Sequence, residues 1–401
     1  MSGLSSQIKN IIERYRNSSV SEVVLALQKL PPEERTFVAE QIQGYQKAKS
    51  KIPSFCDNPN IIFPPKLNLE QSSSELTALW KAQHIIKSTQ TLLDITGGLG
   101  VDAWAFSRVS QKVFYVEPNQ NLANIAKHNF EALEANIDVF CDEAANFLPQ
   151  ANPTDWIYAD PARKDTTGKS VAQITATQPN IVELLPLIFK KTNNLLIKTS
   201  PMFDITQALQ ELHGVQKVWV VALENECKEV LYHIGGHLYN TAKQMPLQAN
   251  VIIEAVNIKS GGEYSSLKTS IWEERDAKAL FSMPQRYLYE PNVAIMKAGF
   301  FKYVGNYFDL SKLQPHTHFY THQDLKANFQ GRIFEVCQIL DSFDWKNLRK
   351  NFPKANIIAR NYPLSVEQIR QQSRIKEGGD AFLIFTTWHK DQKGVIVAKK
   401  V

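Results

Sequence analysis

Cysteine is scarce in this sequence: among 401 residues there are four, Cys56, Cys141, Cys227 and Cys337, and no two have CxxC spacing. That argues against a disulfide-stapled framework and a cysteine-ligated zinc site, and fits a reducing cytoplasm. Long apolar runs are missing too, since no stretch approaches the about 18 residues needed to span a membrane. The start, MSGLSSQIKNIIERY, lacks the basic opening and apolar run of a leader. The expectation is a cytoplasmic protein with no membrane attachment. Large net charge is absent as well, the formal value being +5, but its distribution is uneven. Residues 331–401 hold 13 Lys and Arg against 7 Asp and Glu, a surplus of six, so the rest is close to neutral. Any polyanion partner is therefore expected to meet the C-terminal segment, with a solvated basic surface equally admissible.

The chain is 43% hydrophobic and too long for one ordinary core, so two or three domains are expected. Residues 5–49 carry apolar side chains at helical spacing, such as Ile8, Ile11, Ile12, Val23, Val24 and Leu27, and PPEE at 31–34 reads as a helix start. From Thr91 the pattern changes to short apolar runs between helical stretches: TLLDI, KVFYVE, DWIYAD, NLLIKTS, KVWVVAL and EVLYHIG. Strands alternating with helices predict an α/β, Rossmann-like, mainly parallel sheet. The last two runs are separated by too few residues for a crossover helix and predict one antiparallel edge hairpin. The polar stretch KSGGEYSSLKTS reads as a linker or mobile loop, and residues 280–401 as an α+β appendage.

The most informative stretch is Asp94-Ile95-Thr96-Gly97-Gly98-Leu99-Gly100-Val101-Asp102, directly after TLL. Glycines there allow a tight turn and close backbone approach to a ligand at a helix N-terminus. The same residues satisfy GxGxxA, with Glu117 about twenty positions on, so a dinucleotide dehydrogenase is an alternative. Asp94 weighs against it: a carboxylate there suits the ammonium of S-adenosylmethionine and repels a pyrophosphate. Glu117 would accept ribose hydroxyls with either ligand. Asp142, after a further candidate strand IDVFC, is a candidate adenine contact, with a solvated loop equally admissible.

Asp160-Pro161-Ala162-Arg163 follows the run Trp156-Ile157-Tyr158-Ala159. Here the sequence resembles class I methyltransferases with a DPPY-like or DPPR-like motif at the end of the fourth strand. The resemblance implies that Asp160 and the next carbonyl align a nucleophilic amine with the methyl group. Ala162 replaces the second proline and Arg163 stands where amine enzymes carry an aromatic, so Arg163 is a candidate for a phosphate or base edge, with an exposed turn as the alternative. The stretch after the fifth run, Leu195-Leu196-Ile197-Lys198-Thr199-Ser200-Pro201, has no cysteine, which argues against a covalent thiolate mechanism. The expected acceptor is nitrogen, or an oxygen that is activated.

Gln71-Ser72-Ser73-Ser74-Glu75-Leu76-Thr77 reads first as a capping box, Ser72 with Glu75, opening a helix that runs to His84. It also resembles the polar segment over the cofactor in a bacterial methyltransferase family with a THUMP-like C-terminal domain. TGGLGVD, YVEPN, ADPAR, Tyr287-Leu288-Tyr289-Glu290-Pro291-Asn292, Tyr362-Pro363-Leu364 and Gly378-Gly379-Asp380 all resemble that family, which covers most of residues 65–401. The resemblance implies Ser73 and Thr77 near the cofactor, a methyltransferase core at 65–260, a ferredoxin-like segment at 280–325 and a THUMP-like domain at 326–401, after a helical domain at 1–64. It further implies RNA as partner, by association of THUMP modules with RNA.

His316, His318 and His322 crowd seven positions, but with only Asp324 nearby they are read as a polar turn and not as metal ligands. The run Arg370 to Lys376 is read as a solvated face. The sequence thus predicts an S-adenosylmethionine-dependent RNA methyltransferase acting at nitrogen, with no metal and no obligate protein partner. Asp94, Thr96, Gly97, Gly98, Gly100, Asp102, Glu117, Asp142, Ser73 and Thr77 are assigned to the cofactor, and Asp160, Pro161 and Arg163 to the acceptor. An NAD(P)-dependent oxidoreductase and a non-catalytic RNA-binding protein remain as alternatives.

Overall fold

A computed structural model describes residues 6–28, 30–162, 173–241 and 250–401. The chain divides into two units: 1–218 with 228–247 and 260–262, and 219–227 with 248–259 and 263–401.

In the first unit, three helices, Ser6–Tyr15, Val20–Leu27 and Pro32–Ala48, open the chain. Ser19 and Glu22 form a reciprocal capping box, and Pro32 begins its helix where a missing N–H costs nothing. Their apolar faces meet around Val23, Leu27, Val38 and Ile42.

Each of the six apolar runs forms a strand: β1 Thr89–Asp94, β2 Ser110–Val116, β3 Ile137–Phe140, β4 Trp156–Ala159, β5 Asn194–Thr199, β6 Val215–Leu223 and β7 Glu226–Gly235, with β3 the short addition IDVF. Among these seven strands the order is β3-β2-β1-β4-β5-β7-β6. β3, β2, β1, β4 and β5 are parallel, and β7 runs antiparallel to β5. Glu224 and Asn225, both at left-handed φ (50° and 60°), form the two-residue turn between β6 and β7 that the short spacing required. Helices Val101–Ser107, Gln120–Ala132 and Ile181–Ile188 make crossovers. Leu92, Leu93, Val113, Tyr115, Ile157, Tyr158 and residues 195–199 are buried, as expected of strands covered on both faces.

In the second unit, β8 Ile252–Ile258 pairs antiparallel with β9 Tyr264–Ser270. The expected linker KSGGEYSSLKTS is thus corrected: Gly261 and Gly262 lie in a turn, and its second half is a strand. Only Leu267 and Thr269 point inward in β9, too little apolar alternation to reveal it in the sequence. A seven-stranded sheet follows, ordered β11-β12-β10-β13-β16-β15-β14, from β10 Tyr287–Pro291, β11 Ser311–Gln314, β12 Thr317–His322, β13 Gly331–Leu340, β14 Asn356–Arg360, β15 Ala381–Trp388 and β16 Gln392–Lys400. One core gathers Leu288, Phe319, Phe334, Ile384 and Trp388, the other Leu348, Ile357, Ile369, Leu383 and Phe385. Among the described residues no helix is long and apolar enough to cross a membrane.

Candidate active site

The C-terminal ends of β1, β2 and β4 lie side by side, and the turn after β1 is built at that end. Asp94, 1% exposed, accepts hydrogen bonds at Oδ1 from the Thr96 amide (3.0 Å) and hydroxyl (3.2 Å). The Asp160 amide donates to Thr96 Oγ1 at 2.6 Å, which fastens the end of β4 to the turn. Glu117, at the end of β2, accepts from the Gly98 amide and the Asn119 amide, each at 2.8 Å, and Tyr115 donates its hydroxyl to the Gly98 carbonyl at 2.6 Å. Gly97 has no room for a side chain, because a Cβ would stand 2.7 Å from Glu117 Cβ. Gly100, at φ 82°, opens the helix Val101–Ser107.

Behind this turn five ionisable side chains converge. Lys81 pairs with Glu229 (2.7 Å) and Asp102 (3.0 Å), and Lys198 with Asp160 (2.5 Å) and Asp102 (3.5 Å). Ser73 and Tyr158 donate their hydroxyls to Asp102 Oδ2 at 2.6 and 2.8 Å, and Lys198 donates to Ser73 Oγ at 2.8 Å. The side chains of Lys81, Asp102, Lys198 and Glu229 are each less than a tenth exposed, whereas that of Asp160 is 34% exposed. The buried charges therefore reach the surface of the site through Asp160.

Burial sets the proton affinities. It pushes the Asp94 carboxyl well above the usual range, with Asp102 and Asp160 adding to the effect and Thr96 opposing it. It raises Glu117 against the Gly98 and Asn119 amides, and raises Asp160 against Lys198. At Asp102 burial acts upward too, but the Lys81 and Lys198 ammoniums outweigh it and hold the group well below the carboxylate range. At Lys198 burial acts downward, and Asp160, Asp102 and Glu229 outweigh it, so the ammonium persists.

The turn thus brings together Asp94, Thr96, Gly97, Gly98, Gly100, Asp102, Glu117, Asp160, Pro161 and Ser73. Asp102 and Ser73 are engaged within the buried network. Thr77 is buried near the start of its helix, its hydroxyl donated to the Ser74 carbonyl at 3.1 Å. Asp142 lies two residues beyond β3, where its carboxylate accepts the Glu143 amide. Ala162 pairs with Gln178, and Arg163 lies outside the described residues. The cap is corrected by two residues: Ser74, not Ser72, opens the helix Glu75–Lys81, and Glu75 accepts instead from the Ser54 amide and hydroxyl, because the pairing lies across the fold. The helix also ends sooner, passing into a π-turn at Ala82–Ile86 that includes His84. Sequence reasoning missed Lys81, Tyr158, Lys198 and Glu229 as parts of the site. A lysine inside the apolar run LLIKTS was the available signal.

The three histidines go separate ways: His318 stacks on Phe301 at 3.9 Å between centroids, the His322 ring accepts the Asp324 amide, and His316 is exposed in a turn. Among the described residues no group of His, Cys, Asp and Glu is placed to hold a metal ion.

The donor set suits a cationic ligand. Asp94 and Glu117, which among the described residues have no basic partner at the turn, flank it where a pyrophosphate would meet acidic groups and an ammonium would meet attraction. A Cβ at Gly98 would meet nothing nearer than the Thr96 carbonyl at 4.0 Å, so that side of the turn is open.

Residues 287–329 match the profile of a ferredoxin-like domain family and residues 331–400 that of a THUMP domain-like family. A candidate methyltransferase from Porphyromonas gingivalis W83 is 31% identical over 98% of both chains, with a TM-score of 0.87. A candidate RNA methyltransferase from Pyrococcus horikoshii is 15% identical over 54% of this chain and 98% of its own, TM-score 0.32. TrmK of M. capricolum, solved with S-adenosylhomocysteine, is 15% identical over 40% of this chain and 68% of its own, TM-score 0.31. No curated protein matches the chain.

Proposed function

Since this chain belongs to the bacterial family of class I methyltransferases with a THUMP-like C-terminal domain, we propose that it methylates RNA in the cytoplasm, using S-adenosylmethionine. The observation that carries this reading is the union of the glycine turn with Asp160, through the Asp160 amide and Thr96 Oγ1 at 2.6 Å. The Asp160 carboxylate, about one third exposed, thereby stands at the same end of the sheet as the acidic glycine turn, which supports one site for cofactor and acceptor.

In this reading Asp94 and Glu117 hold the ammonium and ribose of the cofactor, and Gly97, Gly98 and Gly100 let the backbone approach it. The cofactor supplies an activated methyl group on a sulfonium. Asp160 orients the acceptor, which shortens the list of geometries the reactants sample before attack. No cysteine stands directly after β5, where the chain reads Ser200-Pro201-Met202, which supports direct attack by the acceptor. Nitrogen, which the Asp-Pro turn suggests, and a hydroxyl that loses its proton both meet that requirement.

RNA as acceptor rests on the THUMP domain-like match and on the basic surplus of residues 331–401. Calorimetry with S-adenosylhomocysteine and with NADH, followed by tritium transfer from labelled S-adenosylmethionine into total cellular RNA, tests the whole reading. Tight S-adenosylhomocysteine binding with labelled RNA is expected. Binding of NADH alone would establish the oxidoreductase instead, and cofactor binding without label in RNA would move the acceptor elsewhere.

A further inference from the structure

The two lysines and three acids behind the glycine turn come from five places in the chain: the helix Glu75–Lys81, the helix Val101–Ser107, the end of β4, strand β5 and strand β7. Burying charges costs several kcal/mol apiece unless they are well paired, and apolar side chains commonly do as well for stability. Their assembly beside a ligand turn points to chemistry.

Lys198 is the informative member. It stands directly behind Asp160, at 2.5 Å, and is anchored from the other side by Ser73 and Asp102. An amine acceptor gains positive charge as it takes a methyl group, and an ammonium one carboxylate away opposes that by like-charge repulsion. A hydroxyl acceptor has the reverse need. Its pKa lies far above neutral, so it must give up a proton as it attacks, and it gains from a nearby cation while negative charge develops on oxygen.

We infer that the acceptor atom is a hydroxyl oxygen, the ribose 2′-hydroxyl of RNA, with Asp160 as the proton acceptor and Lys198 as the cation that steadies the developing oxyanion. The inference rests on the RNA methyltransferase reading above and names the acceptor of that same site. In the step, the O–H bond breaks and its proton passes to the Asp160 carboxylate. The oxygen forms a bond to the methyl carbon while the carbon–sulfur bond breaks, and its electrons leave on sulfur as a neutral thioether. Burial makes Asp160 a better base than a surface aspartate, whereas Lys198 stays charged and does not serve as the base. When Asp160 takes the proton, Asp102 remains to balance Lys198. Lys81 and Glu229 are positioning residues that hold Asp102 in place.

Alkaline hydrolysis decides the matter, because it cleaves RNA only where the 2′-hydroxyl is free. RNA from a strain deleted for this protein is labelled with tritiated S-adenosylmethionine and hydrolysed. Label in alkali-resistant dinucleotides is the expected result. Label in mononucleotides would overturn the inference and leave the methyltransferase reading standing, with base nitrogen as acceptor. No label at all would remove the RNA reading and the inference with it. Lys198→Met should lower transfer about 100-fold while S-adenosylhomocysteine binding is retained, and Lys198→Arg should recover part of the loss. Full transfer by Lys198→Met would remove Lys198 from the chemistry. Should Lys198→Met not fold, the alkali test on the intact enzyme still decides.

Discussion

At the scale of single residues, Asp94 shows how burial and charge set a binding requirement. Its carboxyl is held at raised proton affinity among other acids, and a cationic ligand would relieve that. A group of raised pKa that must be ionised to bind a cation loses affinity as pH falls through that pKa. Calorimetry with S-adenosylhomocysteine between about pH 5 and 8 should therefore show affinity rising with pH beyond the range of an ordinary carboxylate. Asp94→Asn should bind at least about tenfold more weakly at the upper end and lose the slope. An unchanged affinity would take Asp94 out of the binding site. Gly100 is a second residue-scale case. Its φ of 82° disfavours any side chain, and a Cβ would stand 2.4 Å from Phe130 Cζ, inside the packed helix Gln120–Ala132. Gly100→Ala should cost about 1–3 kcal/mol in denaturant unfolding, and a cost near zero would mean that the Phe130 ring moves freely.

At the scale of elements, the segment 66–75 is held from both sides. Lys47 pairs with Glu70 at 2.5 Å, the Lys51 ammonium donates to the Leu69 and Glu70 carbonyls at 2.9 and 2.8 Å, and Ser54 donates twice to Glu75. From within, Ser73 reaches Asp102 and Lys198. The opening helices thus act on the site through this strap. Glu75→Ala leaves the half-buried Ser54 amide and hydroxyl unpaired, which should cost about 1–3 kcal/mol and raise amide exchange across 69–74. If exchange there stays the same, the strap is held by packing alone. These contacts also explain what was legible in the sequence. Strands β1, β2, β4 and β5 announced themselves because both faces are buried, and Asp94, Glu117 and Asp160 because they stand at the ends of β1, β2 and β4 within three residues of a glycine or proline. Ser72 and Glu75 have capping-box spacing, but Glu75 is drawn to Ser54, twenty-one positions away, and a local pattern cannot weigh that competitor. Lys81 and Glu229 are 148 positions apart, so their pairing exists only in the folded chain.

At the scale of the whole molecule, charge is segregated along the chain, and not all the basic residues of 331–401 are free for a partner. Arg332 and Arg360 pair with buried Glu290, Arg360 at 3.1 Å, so two of the thirteen cations are spent on the sheet. Lys346, Arg349, Lys350, Lys354, Arg374 and Lys376 are exposed. Of these, Lys354 and Lys376 lie on paired backbone segments, and Arg349 and Lys350 end the helix Trp345–Asn351. On the proposed RNA reading these exposed cations, Arg374 and Lys376 of the run first read as a solvated face among them, are the candidates to meet a phosphate backbone. Each phosphate contact with a single strand contributes a slope of about −0.7 to the logarithm of affinity against the logarithm of salt. Replacing Lys350, Lys354 and Lys376 together by Glu should weaken RNA binding in proportion and make it less salt-dependent, while S-adenosylhomocysteine affinity stays the same. Filter binding at several salt concentrations measures both effects. RNA affinity and slope equal to the parent's would place the RNA contact on another surface, and a loss of S-adenosylhomocysteine binding would mean that the reversal had damaged the fold.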